Sequence, residues 1–286
     1  MNGLTDPAVV DDRRPNILVI VADQHRADWA GDRPSIPLRT PVLDALRRRA
    51  VTFCNVTTPA PVCAPARACL ATGRDYDRGL VANNTMDLPA GTPTYYRQLR
   101  DAGYHVAGVG KFDLHKGTPF WGPDGSHLLR DRGFDSGVDS EGKRDAVLFG
   151  WPVPTGPYMA HLAAAGLAGA HAEDLLSRHL YFDTHPTPLP DDAYIDNWIG
   201  ANARTELNLC PKDRPWHLVV NFAGPHDPMD VTMEMQRGWQ DIDFPLPVAN
   251  TTVPPERHQR VRRNYAAMIE NTVSYTHLTL PTSDLV

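Results

Sequence analysis

The 286-residue sequence predicts an α/β fold with a mostly parallel central sheet flanked by helices. Three observations carry that expectation. The runs "NILVIVA" (residues 16–22) and "WHLVVNFAG" (216–224) are continuously apolar, the pattern of strands buried on both faces of a parallel sheet. Helical stretches opened by Thr-Pro pairs fall between the strand candidates, so strand and helix alternate along the chain. Three strand candidates run into polar residues of different chemistry, Asp23, Lys111 and the His226 loop. Parallel sheets bind ligands just outside the carboxyl ends of their strands, so these groups are expected to converge.

The elements follow in order. Residues 1–13, acidic and polar, are expected to be a disordered segment and differ from the basic, apolar pattern of a signal peptide. Thr40-Pro41 opens a helix with Leu43, Leu46 and Ala50 on one face and Arg47, Arg48 and Arg49 outside it. "VTFCNVT" (51–57) alternates as a second strand and leads through a Pro-rich loop into "PVCAPARACLATGR" (61–74). There Pro65 suits the first turn of a helix, the alanines favour its continuation, and Gly73 suits the left-handed position past its end. Thr92-Pro93 begins a helix through Tyr96 and Leu99 that ends at Gly103, and "YHVAGVG" is the strand running into Lys111. From about 117 to 213 the signals weaken. That stretch is expected to be a loop-rich insertion shaping a pocket, with "AEDLLSRHL" and "DNWIGANARTELN" as helix candidates.

Composition narrows the function. A net charge of -6 and a pI of 6.0 argue against a nucleic-acid surface, so any anion site must be local. Four cysteines show no zinc-ligand spacing and are too few for a disulfide framework, which fits a reduced, cytoplasmic setting. No stretch of about 18 apolar residues is present, so no membrane span is expected. Cys63 stands at the mouth of a helix, where unpaired amides and the dipole favour an anion, with Arg67 one turn on. That setting suits an anion-handling nucleophile. The alternative is a buried small residue, which free cysteines commonly are. "GVGK" has neither of the Gly-rich phosphate-loop spacings, which removes a nucleotide-binding reading.

"CAPARACLATGR" resembles the sulfatase signature Cys-x-Pro-x-Arg followed by Thr-Gly-Arg, matched by Cys63, Pro65, Arg67, Thr72, Gly73 and Arg74. "PNILVIVADQHRAD" looks like the family's N-terminal strand and metal motif. "GVGKFDLHKG" and "FAGPHDP" are similar to its lysine-histidine and Pro-His-x-Pro segments. The resemblance covers roughly residues 14–272 as one catalytic domain and implies the alkaline-phosphatase-like core of that family. It implies that a separate maturation enzyme oxidises Cys63 to formylglycine. One hydroxyl of the hydrated aldehyde would attack sulfur and release the alcohol, and the second would expel sulfate and regenerate the aldehyde. It further implies a divalent cation, calcium first and magnesium or manganese as alternatives, held by Asp23, by Gln24 more weakly or indirectly, and by the modified position 63. Arg67 would orient the hydrate, Lys111 would hold sulfate oxygens, His226 would sit near the leaving oxygen, His115 would be the second catalytic histidine, and Asn83 would contact the sulfate. The implied partners are a small sulfate-ester substrate and the maturation enzyme, with no nucleic acid or membrane.

The sequence also departs from the family pattern. Gln24 stands where many sulfatases have a second aspartate, which is more like the choline-sulfatase and phosphonate-monoester-hydrolase branch and widens the substrates to phosphorus esters. His115 lies four residues after Lys111 instead of two, with Asp113 in the usual place. "NYAAMIENT" (264–272) resembles the helix before the next core strand, yet 273–286 reads as translated adapter or out-of-frame DNA. The fold is therefore expected to be incomplete at its C-terminus. A sulfate-ester hydrolase is the leading expectation. A phosphonate or phosphate hydrolase with the same nucleophile, an inactive truncated fragment, and a thiol enzyme using Cys63 and His226 are the others.

Overall fold

A computed structural model describes residues 14–31, 35–179, 181–249 and 252–275. Residues 1–13, expected to be disordered, and all but the first three residues of the 273–286 tail lie outside the described residues. The elements in chain order are β1 (Ile17–Val21), α1 (Pro41–Arg47), α2 (Cys63–Thr72), α3 (Tyr95–Asp101), β2 (His105–Gly110), α4 (His127–Arg132) and β3 (Ser136–Asp139). There follow α5 (Lys143–Gly150), α6 (Pro157–Ala164), α7 (Ala168–Ser177), α8 (Ile195–Leu209), β4 (Trp216–Asn221), α9 (Met233–Arg237) and α10 (Pro255–Tyr275).

The four strands form a parallel sheet in the order β1-β4-β2-β3, as expected for an α/β protein. Alternate side chains serve opposite layers. Ala107, Val109, Leu218 and Val220 pack against α5 to α8, while Val106 and Val219 pack against α2, α3 and α4. A third cluster joins α9 and α10 to Trp29 and Leu38 in the segment after β1. The apolar runs form strands because both faces of the sheet are covered.

Backbone crowding at the strand ends sets the positions that follow. Gly110 closes β2 at φ +103, and a Cβ there would be driven into the Asn221 carbonyl oxygen of β4. Only glycine tolerates both demands. Gly110→Ala is expected to cost at least about 3 kcal/mol of stability, read from the urea midpoint, because strain and steric overlap act at one position.

Three expectations are corrected. Residues 51–57 are not a strand: Val51, Phe53 and Val56 are 82%, 79% and 75% exposed, and the segment pairs with no strand among the described residues. Alternation makes a strand only where an edge and a covering layer receive it. The helix after Thr40 stops at Arg47, leaving Leu46 half exposed and Ala50 outside it, and Arg47 is half-buried beside Asp44. The stretch 117–213 is more regular than expected. It supplies β3 and α4 to α8, and α8 buries Ile195, Trp198, Ile199 and Ala203 against the sheet. No described helix is long and apolar enough to cross a membrane.

Candidate active site

Asp23, Cys63, Lys111 and His226 are delivered by element ends or by the loops that follow them. Asp23 follows β1, and its amide donates to the Gly224 carbonyl at 3.0 Å, which ties it to the loop after β4. Lys111 follows β2, its amide held by the Asn221 carbonyl at 2.9 Å. Cys63 is the first residue of α2, whose left-handed Gly73 (φ 67) terminates it as the sequence predicts. Asn84 Oδ1 accepts from the Ala64 amide at 3.0 Å, satisfying one donor of the first turn.

These ends meet in one open cleft of about 1360 Å³. Lys111 Nζ lies 2.6 Å from Asp23 Oδ2, 3.3 Å from Asp113 Oδ2 and 3.7 Å from Cys63 Sγ. His226 Nε2 is 3.9 Å from the same sulfur. Arg67, buried beneath the sulfur, donates through Nη2 to Asp23 Oδ2 at 3.2 Å and through Nη1 to the Lys111 carbonyl. Two cations and two carboxylates are thus interleaved beside Cys63. Neither sign is left alone in a half-dry site.

The ionisations follow. Burial alone would raise Asp23, but Lys111, Arg67 and His226 outweigh it and hold the carboxyl far below its ordinary range. Burial would lower Lys111, yet Asp113 and Asp23 hold its ammonium well above the ordinary lysine value. Cys63 is raised by burial and lowered more by His226 and Lys111, so its thiol ionises below the ordinary value. Burial lowers His226, and its hydrogen bond with Cys63 reverses this to a net rise.

Of the sequence-predicted site residues, Asp23, Cys63, Arg67, Lys111 and His226 are brought together. Gln24 lies on the rim at φ 59 with an exposed side chain, and its carbonyl accepts from Tyr265 Oη at 2.7 Å. His115 is not in the cleft. Asp113 adopts φ 53, and its carboxylate reaches Lys111, while the His115 backbone forms an isolated antiparallel bridge with Asp87 and its ring accepts from Arg132 Nε at 3.4 Å. Burial and Arg132 push that imidazole down to about 4, so it is neutral. Asn83 is exposed and caps its own turn, accepting from the Thr85 amide at 2.9 Å. The asparagine that reaches the cleft is its neighbour Asn84.

Lys116, Glu141, Lys143 and Arg144 are among the cleft residues that the sequence did not mark. Lys116 bridges Asp113 at 3.1 Å and Asp145 at 2.9 Å, extending the charge lattice from Lys111 to the start of α5. Glu141 is buried and accepts from the Tyr158 and Met159 amides at 3.1 and 3.2 Å, capping α6. Burial pushes it up to about 7 despite those bonds. A carboxyl whose folded value is raised binds its proton more tightly when folded, so its contribution to stability declines as pH rises from about 4.5 to 7. Relative to Glu141→Gln, the wild-type protein is expected to lose roughly 3 kcal/mol across that window, at about 1.4 kcal/mol per pKa unit. Paired urea titrations at pH 4.5 and 7 measure it, and parallel profiles would be the contrary result.

Asp23, Cys63 and His226 offer an oxygen, a sulfur and a nitrogen within 4.8 Å of one another. As a thiol, position 63 makes this a mixed set poorly suited to calcium or magnesium, which prefer oxygen. With oxygens at position 63, beside the Asp23 carboxylate and Gln24, the set fits a hard cation.

The cleft of this parallel α/β protein sets a cysteine at a helix mouth among a lysine, an arginine, an imidazole and a carboxylate, a grouping able to receive an anion. The chain belongs to the sulfatase family, whose model, described as Sulfatase, matches residues 15–273. It is 32% identical over 240 residues to a choline-sulfatase of Rhizobium meliloti (strain 1021), covering 82% of this chain and 43% of that protein. It is 24% identical over 248 residues to an arylsulfatase of Clostridium perfringens (strain 13 / Type A), covering 82% of this chain and 48% of that one. The phosphonate monoester hydrolase of Agrobacterium radiobacter shares the fold, with a TM-score of 0.70 at 20% identity over 92% of this chain and 58% of that one. The chain spans about half the length of the curated relatives it matches.

Proposed function

We propose that the protein hydrolyses sulfate esters through a formylglycine hydrate made from Cys63 by a separate maturation enzyme. The observation that carries this is the placement of Cys63 Sγ at the α2 mouth, 3.7 Å from Lys111 Nζ and 3.9 Å from His226 Nε2. One hydroxyl of the hydrate gives up its proton to solvent and forms a bond to sulfur, the S–O bond to the alcohol breaks, and the alcohol oxygen takes a proton. His226, whose Nε2 lies 3.9 Å from Cys63 Sγ, supplies that proton in this reading. Lys111 receives the sulfate oxygens, and Arg67 holds Asp23 and the Lys111 backbone in place around position 63. The second hydroxyl then gives up its proton, the C–O bond to sulfate breaks, and the aldehyde re-forms and rehydrates. A divalent cation held by Asp23, position 63 and Gln24, calcium before magnesium or manganese, adds Lewis-acid polarisation of these oxygens when bound.

Gln24 beside Asp23 favours a second reading, in which the same nucleophile cleaves phosphonate or phosphate esters. Turnover of an aryl sulfate against an aryl phosphonate separates the two, using protein produced with the maturation enzyme and Cys63→Ala as control. Preference for the phosphonate would exchange the readings. Hydrolysis of neither would favour an inactive chain.

A further inference from the structure

The structure assigns Lys143 the role of a positioning residue for His226. Lys143 is 5% exposed, and its ammonium gathers acceptors from three separate parts of the chain. Nζ lies 2.8 Å from Tyr194 Oη, 2.8 Å from Asp230 Oδ1, 3.2 Å from the His226 carbonyl, 3.3 Å from the Pro228 carbonyl and 3.3 Å from Met268 Sδ of α10. Asp230 alone would neutralise the buried charge. The two carbonyls do something else: they pin the backbone of the loop on both sides of Asp227. That backbone also sets the imidazole, because His226 Nδ1 bonds to the Asp227 carbonyl at 2.8 Å while Nε2 faces Cys63. The other end of Lys143 is equally fixed. It opens α5 directly after Gly142, where an added Cβ would sit 3.2 Å from Lys111 Cδ, so the same turn packs on Lys111 and holds the His226 loop. The spacing between the two groups that flank Cys63 is therefore set by this turn.

The role deepens the proposed reaction and rests on His226 acting at position 63. Its test is a double-mutant cycle on the rate of Cys63 alkylation by iodoacetamide at one fixed pH. The protein is made without a maturation enzyme and carries Cys54→Ala, which removes the exposed competing thiol. Lys143→Met is expected to slow alkylation roughly tenfold when His226 is present, because the released loop carries Nε2 out of its 3.9 Å contact with Cys63 Sγ. In a His226→Ala background the same change should alter the rate by less than about twofold, because the two act through one path. Lys143→Met/Asp230→Asn removes the stranded carboxylate, restores the unfolding midpoint and stays slow.

A double variant alkylated at the parent rate would reduce Lys143 to a counter-ion for Asp230. Equal slowing in both His226 backgrounds, or a His226→Ala protein alkylated at the parent rate, would overturn the proposal as well. Kinetics of the converted protein separate this claim from the sulfatase reading. An intact cycle in a protein without turnover sinks the reading alone, and normal turnover with a flat cycle sinks Lys143 alone.

Discussion

Cys63→Ser is expected to give a protein that attacks a sulfate ester once and then stops. A serine hydroxyl at the first position of α2 occupies the same place beside Lys111, Arg67 and His226 and can displace the alcohol from sulfur. The resulting ester carries no second hydroxyl on its carbon, so nothing within the residue can expel sulfate. Steady-state turnover should fall by at least about 10³-fold, the scale on which removal of a reacting group registers. Rapid mixing should release no more than one equivalent of aryl alcohol, and mass analysis should find sulfate retained at position 63. Continued turnover near the parent rate would mean that water, and not this residue, attacks sulfur.

Asp23→Ala is expected to remove the divalent cation and the activity together. In the folded protein Asp23 receives both Lys111 and Arg67 on one oxygen, and its side chain is 11% exposed. Deleting it leaves two buried cations facing Asp113 alone, a situation that costs about 3–5 kcal/mol when a buried pair loses one partner. The pH dependence has a definite sign. Because the folded carboxyl ionises below its unfolded value, its contribution is complete above about pH 4 and is lost as pH falls further. The stability gap between wild type and Asp23→Ala should therefore be full at pH 7 and close in acid. Lys111→Met should behave differently, lowering activity by about 10²–10³-fold through the lost oxyanion donor while the cation remains. Metal analysis beside kinetics decides the matter, and full metal content in Asp23→Ala would refute the ligand assignment.

The centre of the site was legible because it is built from strand ends. Apolar runs that stop at Asp23, Lys111 and the His226 loop must, in a parallel sheet, deliver those groups to one edge, and they do. What surrounds the centre was not legible. β3 is four residues of "SGVD", too short and too poor in apolar side chains to announce a strand. Lys116, Glu141 and Lys143 sit in a polar stretch where charge alone does not distinguish a solvated side chain from a buried one. The partners of Lys143 lie far away in sequence, at residues from 194 to 268. His115 misled because a motif spacing carries no backbone geometry, and the left-handed Asp113 puts a carboxylate where a histidine was expected. Asn83 and Asn84 differ by one position, which in a tight turn is the difference between capping that turn and reaching the cleft.

The central claim is that position 63 works as an aldehyde hydrate and not as a thiol. Peptide mass spectrometry of the tryptic fragment ending at Arg67, taken from a preparation already shown to hydrolyse an aryl sulfate, tests it most directly. The account predicts loss of the thiol mass at Cys63, with Cys54 in the same fragment unchanged. An intact Cys63 thiol throughout a preparation with full sulfatase turnover would contradict it.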